Sequence, residues 1–436
     1  MDLTIVSLIL AVGMLTMLAF GVWVSFTLII IGGLGLVLSE NYQVGLLFST
    51  SSWGASTSWS LTALPLFIWM GEVLFRTRLS EDLFKGLSPW LGGVPGKLLH
   101  VNILSCGIFA AVSGSSAATA ATIGRMTLPE LKKQGYSERM AVGTLAGSGT
   151  LGLLIPPSII LIVYGVAAEV SIARLFIAGA LPGLLLVALF MGYTMIWGML
   201  HKDELPKHTD SQVSWSTRFK ALKQLLPVVG LIGFVLGSIY GGITTPTEAA
   251  AIGVTGALVI AGVTGSLSFH SFMDSLMGAV KSSCMITFIL IGAHFLTLSM
   301  GFLGIPKELA SWIASLNLSP MALIFYLTIL FVVLGCFLDG ISVVVLTVAV
   351  VLPMVDAAGI DLLWFGIFIV LVVEMSQITP PVGFNLFVIQ SLTGKNILYV
   401  ARAALPFFLL IAVAIALVTM FPEIVTYLPS NMSQSG

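Results

Sequence analysis

The chain has 436 residues, of which 58% are hydrophobic and 8% are charged. A soluble domain carries about 25% charged residues, so this chain cannot clothe a water-facing surface, and its solvent is the lipid bilayer. The net charge of -1, with no basic tail, points to no nucleic-acid partner.

A spanning helix needs about 20 apolar residues, and apolar stretches recur from end to end. Met1-Asp2-Leu3 lacks the positive n-region of a cleavable leader, so the first stretch is expected to stay as a helix. Spans are predicted at 3–20, 23–38, 61–76, 138–165, 175–199, 225–240, 246–267, 282–303, 362–390 and 403–421. The segments 97–128 and 320–353 are predicted to be re-entrant hairpins. The fold class is an all-α polytopic membrane protein in two halves, 1–199 and 225–421. A cytoplasmic linker at 200–224, with Pro206 and mixed charges, joins them, and an exterior tail occupies 422–436. Cys106, Cys284 and Cys336 lie far apart in apolar segments and read as buried thiols, not as a disulfide framework or metal site.

Positive charge decides which segments cross. Arg76, Arg78, Lys85 and Lys97 precede the first hairpin, and Arg125, Lys132, Lys133 and Arg139 follow it. Lys and Arg concentrate in cytoplasmic loops, so both flanks are cytoplasmic and the segment between them returns to its own side. Sixteen of the eighteen Lys and Arg residues then lie inside, only Arg174 and Lys307 fall outside, and both termini face the exterior.

The sequence also repeats itself. Pro129, Pro156, Pro157 and Pro182 recur 224 residues later as Pro353, Pro380, Pro381 and Pro406. Leu128, Gly135, Ala180 and Leu181 recur with them as Leu352, Gly359, Ala404 and Leu405. Upstream, the offset drops to 221 and pairs Gly21, Gly32 and Gly71 with Gly242, Gly253 and Gly292. Each half holds five spans and one hairpin. An odd number of crossings makes the second half enter from the opposite side, so the repeat is inverted, as in secondary transporters, with the site near the midplane.

The first hairpin turns at Ser113-Gly114-Ser115-Ser116. Small residues let its arms approach, and hydroxyls and freed carbonyls offer hard oxygen ligands beside the N-terminus of a following helix. Close helix packing through small residues is the plainer alternative. The next span carries Gly147-Ser148-Gly149-Thr150 and then Pro156-Pro157, which break its hydrogen-bond ladder and free carbonyls for a cation.

The second hairpin turns at Asp339-Gly340. The 224 offset sets Asp339 opposite Ser115. A carboxylate at bilayer depth costs at least about 2.5 kcal/mol and marks function by default, with a helix cap as the competing role. The companion span carries Glu374, Ser376, Gln377, Thr379, Pro380, Pro381 and Asn385. Of these, Ser376, Thr379 and Asn385 suit an ion or substrate hydroxyls, whereas Glu374 is as readily a structural hydrogen-bonding group. Glu72, His100, Glu248 and His294 each stand alone and read as structural. Thr245-Pro246-Thr247-Glu248 reads as a helix start. No H-E-x-x-H, G-x-S-x-G or P-loop is present, since Gly96-Lys97 lacks the leading glycine and following hydroxyl. Energy must then come from an ion gradient or a partner.

The stretches Ala111–Thr119, Gly152–Ser158, Gly241–Ala250 and Thr379–Gly383 resemble the large, DctM-like membrane subunit of TRAP transporters, and the resemblance covers nearly the whole chain. It implies Na⁺-coupled import of a small organic anion at the bacterial inner membrane and delivery by a periplasmic binding protein. It also implies a small four-helix membrane partner and an elevator mechanism. The site residues it implies are Ser113, Gly114 and Ser115, Gly147 to Thr150, Asp339 and Gly340, and Ser376 to Pro381. Ser116, Pro156, Pro157, Ser376, Gln377, Pro381 and Asn385 are then the substrate candidates, and Ser113, Gly114, Ser115, Gly147, Ser148, Gly149, Thr150, Asp339, Gly340, Thr379 and Pro380 the Na⁺ candidates. Members handle C4-dicarboxylates, sialic acids, other sugar acids, keto acids and ectoines, with a carboxylate in common. A stand-alone sodium-carboxylate symporter is the nearest rival. An intramembrane hydrolase would need a general base near Ser113 or Ser115, and all five histidines lie elsewhere. A passive channel does not suit two closed-off hairpins.

Overall fold

The structure, a computed structural model, describes residues 3–40, 43–77, 79–206, 214–315 and 319–432. Met1, Asp2, Arg78, the linker residues 207–213 and the tail residues 433–436 lie outside them. Among the described residues the chain is helical, with no strand.

The first half runs α1 (Leu3–Ala19), α2 (Val24–Leu38), α3 (Val44–Ser56), a 3-10 turn (Trp59–Thr62), α4 (Ala63–Phe75), α5 (Leu79–Leu91), α6 (Leu99–Ser113) and α7 (Ser116–Lys133). It continues through α8 (Glu138–Thr150), α9 (Ile159–Ala167) and α10 (Ile172–Leu200). The second half runs α11 (Trp215–Tyr240), α12 (Pro246–Val263), α13 (Phe269–Leu303), α14 (Ile305–Ser315), α15 (Pro320–Gly335) and α16 (Gly340–Ala357). Then come α17 (Leu362–Gln377), α18 (Phe384–Thr393), α19 (Ile397–Met420) and α20 (Glu423–Ser430). Shifting 116–133 by 224 gives 340–357, the bounds of α16, and the start of α8 shifts onto the start of α17.

Among the described residues, six helices (α10, α11, α12, α13, α16 and α19) are each long and apolar enough to cross a bilayer. A seventh path joins α3 to Trp59–Phe75 through a 54° bend. Two points differ from the expected spans. The predicted hairpin arm α16 is itself one of these long helices, whereas α1, α2 and α17 have 17, 15 and 16 residues. The helices α3, α5 and α14 lie where loops were expected, and α11 begins inside the expected linker.

The reasons are local. The hydroxyls of α3 fold back onto its own carbonyls (Ser49 to Gly45 O at 2.8 Å, Thr50 to Leu46 O at 3.0 Å), so a hydroxyl-rich stretch stays helical. By contrast, α5 is amphipathic. It turns Leu83 inward, sets Gly86 against Leu225 of α11 and leaves the Glu81–Lys85 pair outside. The expected helix start at 245–248 is a capping box, with the Thr245 hydroxyl accepting from Glu248 N and the Glu248 carboxylate accepting from Thr245 N.

Two helices form the centre. Met140 to Thr150 of α8 and Leu363 to Gln377 of α17 are buried on every side. Around them α2 packs on α13 and α12 on α4, while α7 meets α18 and α16 meets α9. Small residues set these approaches. A β-carbon on Gly32 would lie 2.9 Å from the Phe295 ring, and one on Gly292 would lie 2.9 Å from Ser25 O. Leu8, Leu15, Trp23, Phe26, Trp53 and Trp59 face outward, as a bilayer solvent requires. Cys106 and Cys336 are buried, but Cys284 is exposed. The expectation of three buried thiols is corrected there, because an apolar side chain facing lipid need not enter the core.

Candidate functional site

The first hairpin closes through Gly114, the left-handed C-cap of α6 (φ 57°). Ser115 caps α7, and its carbonyl accepts the Thr119 hydroxyl at 2.8 Å. The Ser113 hydroxyl pairs with Thr119 at 2.8 Å. This tip rests on the break between α8 and α9. Ile159 N–H donates to Gly114 O at 3.4 Å, and Gly114 abuts Pro157 O. Gly152 faces the Ser115–Ser116 peptide with no room for a side chain. Gly71 of α4 meets Val112 O from the other side. Ser116, Pro156 and Pro157 are buried here.

The residues 147–150 do not reach that tip with their side chains. Gly147 packs on the Phe407 ring of α19, and Gly149 on Ala120 of α7. The hydroxyls of Ser148 and Thr150 are spent on Thr144 O (2.6 Å) and Gly147 O (2.8 Å). These residues give the first break its close packing.

The second tip is built differently. Asp339 caps α16: one oxygen accepts from Ile341 N (3.1 Å) and Ser342 N (3.3 Å), and the other accepts the Ser342 hydroxyl. The helix-cap role left open by the sequence is therefore present. The tip rests on the break between α17 and α18, where Gly383 N–H donates to Cys336 O (3.0 Å) and the Gln377 amide donates to Leu338 O (3.3 Å). Ser376 meets Gly335, and its hydroxyl donates to Val373 O (2.6 Å). The Thr379 hydroxyl donates to Met375 O at 2.7 Å. Pro156-Pro157 and Pro380-Pro381 are both cis. Pro380 and Pro381 are exposed, whereas the first break is largely sealed. Asn385 is buried on α18, and neither of its amide atoms has a hydrogen-bond partner.

The two breaks meet at the centre. Gly340 of the second tip lies against Leu153 and Ile160 of the first break, with Val373 beside it. Interrupted backbone of both halves is thus brought together with two carboxylates of the second half, Asp339 and Glu374, an arrangement suited to hard monovalent cations.

Comparison with known proteins agrees with this architecture. The family model described as the tripartite ATP-independent periplasmic transporter, DctM component, matches residues 11–424. The chain belongs to this family. It is 34% identical over 386 residues to the C4-dicarboxylate TRAP transporter large permease protein DctM of Pseudomonas aeruginosa, covering 87% of this chain and 88% of that one. It is 34% identical over 376 residues to the ectoine/5-hydroxyectoine TRAP transporter large permease protein UehC of Ruegeria pomeroyi (85% and 86% covered). It is 29% identical over 420 residues to the sialic acid TRAP transporter large permease protein SiaM of Vibrio cholerae (96% and 97% covered). The crystal structure of the Alcanivorax borkumensis YdaH transporter shares the fold, with a TM-score of 0.60 at 14% identity over 86% of this chain and 89% of that one.

Other parts of this DctM-type subunit fall where sequence reasoning did not look. A cavity of about 560 Å³ is lined by Ser58, Ser60, Glu169, Ser171, His294 and Thr297 among others. Glu169 sits there at φ 54°, a conformation that no pattern in the sequence announces. His294, read as structural, opens into this cavity. His100 is structural: it is buried, with Nε2 at 2.7 Å from Pro95 O. Glu72 pairs with Arg76 at 3.2 Å.

Proposed function

We propose that this chain is the sodium-driven large subunit of a tripartite importer in the bacterial inner membrane. Its substrate is a small organic anion, a carboxylate such as a C4-dicarboxylate, sialic acid or other sugar acid. A periplasmic binding protein delivers the substrate, and a small four-helix membrane subunit completes the complex. The two halves are inverted repeats with both termini periplasmic, and the hairpins and broken helices slide as a transport domain against the rest.

The observation that carries this reading is the docking of each hairpin tip on a broken helix, with the second tip, at Gly340, also set against Leu153 and Ile160 on either side of the first break. Each tip places hydroxyls or a carboxylate beside interrupted backbone, which is how transporters hold ions without a nucleotide site. Ser113 to Ser115 with Gly147 to Thr150, and Asp339 and Gly340 with Thr379 and Pro380, are the residues for Na⁺. Ser116, Pro156, Pro157, Ser376, Gln377, Pro381 and Asn385 surround the route of the anion. The relatives named for C4-dicarboxylate, ectoine and sialic acid support a carboxylate as the common element.

Uptake into proteoliposomes tests this. Transport is expected only with an inward Na⁺ gradient, the small subunit and a loaded binding protein. Equal uptake with K⁺ replacing Na⁺ removes the sodium reading, and full uptake without any binding protein makes the chain a stand-alone symporter.

A further inference from the structure

Glu374 lies in the last turn of α17, just before the Pro380-Pro381 break, and is fully buried. It is the only fully buried carboxylate among the described residues. Neither of its oxygens has a hydrogen-bond partner. The Leu154 N–H lies beside it and also donates to Leu151 O at 3.2 Å. Shared in this way, it is the one donor offered to the structural hydrogen bond that the sequence left open for this residue.

Among the described residues no ion pair reaches Glu374. Of the helices packed on α17, α8, α10 and α19 carry Lys or Arg, namely Arg139, Arg174 and Arg402, each within the first two turns of its helix. An ionised carboxylate fully buried, with one shared backbone donor and no counter-charge beside it, is among the costliest groups a fold can hold. Oxygen donors are at hand instead. Residues 154–157 lie outside both α8 and α9, so their carbonyls lack the helical donor four residues on; Leu154 O faces Gly179 and Pro157 O faces Gly114, which leaves those of Ile155 and Pro156. Leu154 connects the two features, because its peptide lies in the first break and beside a carboxylate at the second. A carboxylate with carbonyls, and no clustered His or Cys among the described residues, suits an alkali cation and not a transition metal. The repeat sharpens the point: 224 residues earlier stands Thr150, whose hydroxyl is satisfied within its own helix. Only the second half brings a charge to the junction.

We propose that Glu374 is the anionic ligand of a sodium site lying between the two helix breaks, with the carbonyls of Ile155 and Pro156 as its neutral ligands. This rests on the sodium-driven reading above.

The test is equilibrium binding of ²²Na⁺ to the purified complex in lipid nanodiscs, with K⁺ and choline as controls. Na⁺-induced thermal stabilisation is followed in parallel. In Glu374→Gln, one sodium per chain is expected to be lost, or its affinity to fall by about tenfold or more, with matching loss of stabilisation. Glu374→Asp keeps the charge but retracts it by one methylene, so weakened yet measurable binding is expected. It serves as the decisive variant if the Gln form does not fold. Unchanged stoichiometry and affinity in Glu374→Gln, or unchanged affinity in Glu374→Asp, overturns the assignment of Glu374 and leaves the sodium-driven reading intact. No Na⁺ binding by the wild type overturns both.

Discussion

A β-carbon on Gly152 would lie 2.5 Å from the Ser115 carbonyl oxygen and 2.8 Å from the Ser116 nitrogen, so the first hairpin tip rests on bare backbone of the first helix break. Backbone cannot rotate away as a side chain can. Gly152→Ala is therefore expected to push the tip off its seat, costing about 1–3 kcal/mol by overpacking and most of the uptake. Gly93→Ala, where nothing lies within 4 Å, is the control. Thermal unfolding and uptake are the measurements, and wild-type values for Gly152→Ala would show that the tip does not need this seat.

Asp339 separates two roles. Its carboxylate caps α16 through Ile341 N, Ser342 N and the Ser342 hydroxyl, and Asn caps about as well as Asp. Asp339→Asn is expected to keep the fold and membrane insertion yet lose most Na⁺-coupled uptake. Asp339→Ala should in addition lose about 1 kcal/mol of stability. Near-normal uptake with unchanged Na⁺ dependence in the Asn form would confine Asp339 to capping.

Side-specific labelling checks the topology. Lys97 and Lys132 flank the first hairpin, and Gly114 turns it back at the tip. Cysteines placed at these two positions should both react with a membrane-impermeant reagent from the cytoplasmic side. Labelling from opposite faces would remove the re-entrant hairpin, and with it the inversion of the repeat.

Lys395, in the turn before α19, reaches Glu138 at the start of α8 (3.0 Å) and sits over the Tyr399 ring at 5.4 Å. The Glu138 hydrogen bond and charge hold the Lys395 ammonium above the ordinary lysine range. A raised lysine contributes stability that is whole below its unfolded value, about pH 10.4, and that disappears as pH rises through the folded value. The Tm difference between wild type and Lys395→Met should be small, shrink in high salt, hold steady from neutral pH to about pH 9, and vanish at higher pH. A difference that grows with pH would contradict this assignment.

Composition made the membrane class legible, charge and small residues the hairpin tips, and the resemblance of four short motifs the family, because each is a local property. The paired prolines mark both breaks, since a proline removes its helix donor wherever it sits. A glycine at the first turn marks a tip, since the left-handed cap favours it. The hydroxyls of α3 and the charges of α5 concealed helices because their partners, their own carbonyls in one case and α11 in the other, do not show in a hydropathy pattern. Gly147 and Gly152 look alike in sequence. Yet one faces Phe407 and the other the Ser115 carbonyl, and only packing between distant segments separates a spacer from a seat. Glu374 shows the same division. Its position before the second break is written in the chain, but its burial without a counter-charge exists only once the Leu154 peptide, 220 residues earlier in sequence, is folded against it.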